Sequence, residues 1–283
     1  VTAIDEAGAT VNDVFTLNVA NPAPDAAGET GRVNEDADLV VAAANGVLAN
    51  DADPDGDMLT VDQVAGQVDN VGQAVAAANG GLFTIAADGS YRFEPGADFD
   101  RLAQGEQAVT SITYRVSGAA DGTDTATLSV AVTGVNDAPN VITPLGDQRE
   151  AESASVTIAT AGAFADVDRG DTLRFAAAGL PSGLTIDART GLITGTLARD
   201  AAANGPYTVT VTATDDFGQS IDSRFMLTAY NQPVTAMADT AAASADRTLS
   251  VNAASGVLAN DRDGDGDRLS VAAVNDRVDA VGQ

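Results

Sequence analysis

Apolar and polar residues alternate along most of this chain, in short runs bounded by Gly, Asn and Asp. From Tyr207 to Thr214 the order is Tyr-Thr-Val-Thr-Val-Thr-Ala-Thr, which places alternate side chains on one face of an extended strand. The same two-residue period predicts strands at Leu59–Val64, Gly81–Ala86, Ser90–Glu94, Ser111–Val116 and Thr125–Thr133. It predicts a second set at Ser155–Ala159, Thr172–Ala176, Gly191–Thr196 and Ser220–Thr228. Asp88-Gly89 joins two of these runs as a tight hairpin turn. Helical periodicity is nearly absent. The Ala-rich stretches 74–79 and 201–204 read as loops, because Gly and Asn interrupt them. Short strands separated by turn residues predict an all-β protein built of β-sandwich domains.

The pattern repeats. Residues 46–73 return at 256–283 without a gap and with 18 identities in 28 positions, an offset of 210. The same offset lays 1–19 on 211–229. A fixed period marks an array, and the expectation is a slice of a longer protein. Boundaries fall where strands stop and Asn and Pro appear: Asn21 to Pro24, Asn136 to Pro139, and Asn231 to Pro233. They divide the chain into the tail of one domain (1–20), a first complete domain (21–137), a second complete domain of another type (138–232) and the head of the next copy (233–283). Such short, Pro-bearing linkers are expected to be semi-rigid.

Charge changes the picture. The chain has 14 Arg and no Lys against 34 Asp and 7 Glu, a net charge of −27. That excess repels nucleic acid and anionic membrane surfaces. No run of 18 apolar residues exists, so no membrane insertion is expected. Cys and His are absent, which removes disulfides, thiol nucleophiles, Ser–His–Asp triads and ordinary zinc or copper sites. A soluble surface could use Glu as readily as Asp. Turns that hold a hard cation favour Asp, whose short carboxylate folds back on its own loop. The Asp bias therefore points to calcium.

The densest candidate is Asp51, Asp53, Asp55 and Asp57, repeated as Asp261, Asp263, Asp265 and Asp267. Alternate carboxylates with Gly at the sixth position resemble the first half of an EF-hand loop. The likeness stops at position twelve, which is Asp62 in one copy and Ala272 in the other. A second cluster is Asp166, Asp168 and Asp171. It contains Arg169-Gly170-Asp171, a tripeptide that some integrins read, but its spacing suits a ligand or a turn better. Further candidate ligands near domain ends are Glu35, Asp36, Asn136, Asp137, Glu150, Glu152, Asp200 and Asp215. Asp88, Asp121 and Asp187 stand beside Gly turns and read as turn formers. Carboxylate pairs abound, yet none is singled out as a catalytic acid and base, and a repeated module argues against a unique cleft. No enzyme is expected.

Two resemblances follow from particular residues. Phe164-Ala-Asp166-Val-Asp168, Gly179-Leu-Pro-Ser-Gly-Leu-Thr-Ile-Asp187, Thr190 to Thr196 and Tyr207 to Asp215 make the second domain resemble a cadherin-like domain of the dystroglycan type. The resemblance implies that Asp166 and Asp168 form a calcium-binding pair. It places Leu197 to Asp200 where cadherins carry Leu-Asp-Arg-Glu, with Ala198 in place of an acidic ligand. Asn34-Glu-Asp36, Val47 to Asp51, Leu59-Thr-Val61, Gly89 to Pro95, Phe99-Asp100, Ile112 to Val116 and Val130 to Pro139 make the first domain resemble the VCBS and related bacterial cadherin-like repeats of giant repeats-in-toxin adhesins.

The expectation is a calcium-stiffened extracellular extender of a bacterial surface adhesin, which spaces, stiffens and projects. Its partners would be the neighbouring repeats of the same chain. Two alternatives stand beside it: a self-assembling filament, sheath or surface layer with lateral contacts between chains, and a carbohydrate-binding module. Few aromatics and no Trp count against the last.

Overall fold

Alternating burial builds the two long strands that lie at the centre of each main sheet. A computed structural model describes residues 1–17, 21–118 and 122–274; Asp121 and the echo residues 275–283 lie outside them. The chain divides into two units, Val1–Asn136 and Asp137–Gln283.

The first unit opens with the exposed hairpin of β1 (Thr2–Ile4) and β2 (Thr10–Asn12). Its sandwich uses β3 (Glu29–Asn34), β4 (Leu39–Val41), β5 (Thr60–Val64), β6 (Ala74–Ala76), β7 (Leu82–Ile85), β8 (Tyr91–Glu94), β9 (Gln107–Ser117) and β10 (Thr123–Thr133). These form two four-stranded sheets, ordered β3-β10-β9-β5 and β4-β8-β7-β6. In β10 every second residue, Ala126, Leu128, Val130 and Val132, is buried. They join Phe83 and Phe93, whose ring centroids lie 4.6 Å apart, in one core. Antiparallel pairs dominate, but β3 runs parallel to β10 over six residue pairs.

The second unit contains β11 (Asn140–Val141), β12 (Gln148–Ala151), β13 (Ser155–Ala159), β14 (Phe164–Ala165), β15 (Arg174–Ala178), β16 (Leu184–Ile186) and β17 (Leu192–Thr196). After the one-turn helix α1 (Ala201–Asn204) come β18 (Tyr207–Thr214) and β19 (Ser220–Tyr230). Sheet β12-β19-β18-β15 covers sheet β13-β17-β16. Between them lie Ile193, Val209, Val211 and Leu227, all fully buried. Here too the first strand of the main sheet, β12, runs parallel to the last, β19. Gly183 and Gly195 let β16 meet β17: a Cβ on Gly195 would stand 1.9 Å from the Gly183 carbonyl oxygen. Beyond β19, β20 (Val234–Thr235) pairs with β21 (Arg262–Asp263).

The all-β expectation holds, and the strands at Ser155–Ala159 and Tyr207–Thr214 have the expected bounds. Three local readings are corrected. The strand expected from Thr172 begins at Arg174, because Asp216 accepts hydrogen bonds from the Thr172 N–H and hydroxyl and holds that residue in the turn. Ala74–Ala76 is a strand paired with β7. Ala201–Asn204 is a helical turn, held by the Tyr207 hydroxyl on the Ala201 carbonyl and by Asn204 on that of Asp200.

Candidate metal centres

Each Asp-rich loop folds onto the side chain of its own leading aspartate. Asp53 Oδ1 accepts from the N–H groups of Asp55 and Asp57 at 3.1 and 3.3 Å. Its counterpart Asp263 accepts from Asp265 and Asp267 at 3.1 and 3.0 Å. In the second domain Asp166 accepts from the Asp168 N–H at 3.0 Å. Gly56, Gly266 and Gly170 close the three turns at φ of 87°, 85° and 92°, a conformation that disfavours a Cβ. Two quite different sequences thus each fold an aspartate back onto its own turn, with the left-handed Gly three residues on in Asp53 and Asp263 and four residues on in Asp166.

The turns gather carboxylates. One oxygen from each of Asp53, Asp55 and Asp57 lies within 4.8 Å of the other two, and the same is true of Asp166, Asp168 and Asp171. A third group unites Asp265 and Asp267 with Glu152, which directly follows β12. Crowding shows in the proton affinities. Asp171 is raised above the ordinary aspartate range, first by burial and then by the charges of Asp166, Asp168, Asp216 and Asp215. Asp55 is raised chiefly by its hydrogen bond with Asp53, and the same bond lowers Asp53. Asp265 and Asp263 repeat that relation.

The clusters fit a hard cation. Oδ2 of Asp53, of Asp166 and of Asp171 is buried without a hydrogen-bond donor, a costly state for an ionised oxygen. Calcium takes six to eight oxygen ligands, carboxylates and carbonyls above all. The residues that would hold it are the three carboxylates of each group.

Several candidates, Glu152 of the third group among them, also bind the backbone. Glu35 and Glu152 are equivalent: each follows the first strand of its main sheet, donates its N–H to the last strand and is about 3% exposed. Glu35 Oε1 accepts from the Val135 N–H, and Glu152 Oε1 from that of Ala202. Asp137 donates its N–H to Asp168 Oδ2 at 2.9 Å, as Gln232 does to Asp265 Oδ2 at 2.8 Å. Asp51 and Asp261 stand apart from their loops, accepting from the N–H groups of Ala27 and Met237 at 2.7 and 2.8 Å. Asp215 ties the β18–β19 hairpin through the N–H groups of Phe217 and Gln219. Asp5, 210 residues earlier, does the same for β1–β2. Asp200 accepts from Asn204, Asp36 is exposed, Glu150 lies in β12 opposite Ala229, and Asn136 is half-buried. Asp62 forms a two-point ion pair with Arg115 at 2.6 and 2.8 Å, which accounts for position twelve of the loop. Asp171 turns into its cluster, so the Arg-Gly-Asp tripeptide is not displayed as a unit.

Sequence reasoning missed Glu29. One of its oxygens is buried without a donor, and burial raises its pKa while the Tyr114 hydroxyl lowers it. Alternation along Glu29–Asn34 was the available signal, blurred by Gly31 and the polar ends.

A family model for a bacterial cadherin-like domain matches residues 21–134. The chain contains a cadherin-like domain. An Ig-domain model matches 138–230, the sandwich that follows it. No curated relative matches the sequence. Among solved structures, mouse cadherin-23 EC22-24 is 16% identical, with a TM-score of 0.49, covering 75% of this chain and 68% of that one. Human CDH23 EC21-23 is 19% identical, with a TM-score of 0.48 and coverages of 75% and 70%. Drosophila N-cadherin EC1-4 is 16% identical at a TM-score of 0.42; the match spans 74% of this chain and about half, 51%, of that one. The cadherin-like domain carries the Asp53–Asp55–Asp57 group, and the Ig-like domain carries the Asp166–Asp168–Asp171 group.

Proposed function

We propose that this chain is a calcium-stabilised segment of an extracellular adhesive array, in which each domain's partner is its neighbour in the same chain. The observation that carries the reading is the recurrence of three close carboxylates, gathered on an Asp-rich turn, in two domain types of different sequence. Without a cation these groups repel. Binding to the folded form alone stabilises it by mass action, by about 2.7 kcal/mol per site at a hundredfold excess over Kd. The bacterial cadherin-like match and the lack of Cys support an exported adhesin of the repeats-in-toxin type, and among the described residues no helix is long and apolar enough to cross a membrane.

Thermal unfolding with excess calcium and with chelator tests the reading. Calcium should raise Tm by several degrees, and Asp168→Asn should remove part of that gain. Equal melting in both buffers would sink the proposal.

A further inference from the structure

The Glu152–Asp265–Asp267 group has an arginine set against it. Arg199, exposed in the turn before α1, donates from Nη1 to the Gly266 carbonyl oxygen at 2.7 Å, between the two aspartates of the group. With Glu152, Asp200, Asn231 and Asp267 it lines an open cleft of about 400 Å³. The approach is close: a Cβ on Gly266 would lie 3.4 Å from Arg199 Nη2. The same loop is also the more cationic copy. Arg262 and Arg268 occupy the positions that are Ala52 and Met58 in the first copy. Arg262 folds onto its own loop, donating to the Asp261 carbonyl at 2.7 Å. Four aspartates are thus offset by two loop arginines and faced by a third, whereas residues 51–58 carry four aspartates and no cation.

We infer that Arg199 is a resident counter-cation of the Glu152–Asp265–Asp267 site, lowering its affinity for divalent cations so that it fills after the Asp53–Asp55–Asp57 site, whose loop carries no cation. The inference rests on the calcium reading of that site. A guanidinium stays charged at every physiological pH. Fixed on a carbonyl between two ligand residues, it engages an oxygen that a hard cation could use and opposes the arrival of further positive charge. At separations of a few ångströms beyond contact in a wet cleft, that repulsion weakens binding on the order of tenfold. A chain built this way would set in stages as calcium rises.

Isothermal titration of the whole chain with calcium chloride decides it, using wild type, Arg199→Gln, Arg199→Lys and Glu152→Gln, each checked by circular dichroism. Arg199→Gln should tighten the weakest binding step about tenfold, Arg199→Lys should stay near wild type, and Glu152→Gln should abolish that step. If Glu152→Gln removes the step while Arg199→Gln leaves it unchanged or weaker, the inference alone fails. Tightening by Arg199→Lys equal to that by Arg199→Gln would overturn the charge argument. If Glu152→Gln leaves every step intact, the calcium reading of this site fails and takes the inference with it.

Discussion

Single side chains here divide their labour by what surrounds each oxygen. Asp187 accepts from the N–H groups of Arg189 and Thr190 and from the Thr190 hydroxyl, and these bonds, the Thr190 N–H foremost, hold its pKa below the ordinary aspartate value of 3.8. A group lowered in the folded state contributes stability above its unfolded pKa and loses it as pH falls through the folded value. Melting followed from pH 6 down to about pH 2 should therefore show a loss below about pH 4 that Asp187→Asn lessens. Tyr114 is 1% exposed, and its hydroxyl lies within 3.0 and 3.1 Å of the Ala27 and Val47 carbonyl oxygens, beside the Glu29 carboxylate. Tyr114→Phe removes the one proton that these buried acceptors and Glu29 share and should cost about 1–3 kcal/mol in urea denaturation, with the ring packing kept. Neither relation is equally visible in the sequence. The Asp187 turn is local and legible, whereas Tyr114 meets Glu29 across 85 positions. The loops show the same limit: spacing grouped Asp51 with Asp53, Asp55 and Asp57, but only the fold reveals that Ala27 claims it.

Strands were legible where one face is buried and the other is wet. β13 and β18 alternate cleanly and have the bounds that alternation predicts. β3 and β12 escape such reading, because they are placed by backbone pairing along β10 and β19 and each begins on a polar residue, Glu29 and Gln148. Helical turn α1 is held by two side-chain bonds to its backbone carbonyls and not by periodicity. Close approach was half-legible: the Gly-Leu-Pro-Ser-Gly run marks a turn, but its contact with β17 is a tertiary fact. Gly195→Ala should collide with the Gly183 carbonyl and separate β16 from β17. In differential scanning calorimetry this variant should lower or abolish the transition of residues 137–283 and leave that of the cadherin-like domain in place. A single shared shift would show that the two units melt as one.

At the scale of the whole molecule the net charge of −27 governs behaviour. Like charges oppose compaction, and salt screens them over a Debye length of about 10 Å at 0.1 M. In chelator, sodium chloride raised from about 0.02 to 0.5 M should lift Tm by a few degrees; with calcium bound the same salt should do less, because the densest carboxylates are already neutralised. Arg-for-Lys usage fits this scale as well, since the two-point bond of Arg115 to Asp62 needs a planar fork. One feature of the sheets bears on how such a chain would carry load. The first strand of each main sheet lies beside its last and runs in the same direction, over six residue pairs for β3 and β10 and four for β12 and β19. Tension applied at a domain's two ends draws those neighbours lengthwise past each other, so the ladder bonds are sheared together and cannot peel apart one by one. In single-molecule pulling the first sandwich, with the longer parallel seam, should yield at the higher force.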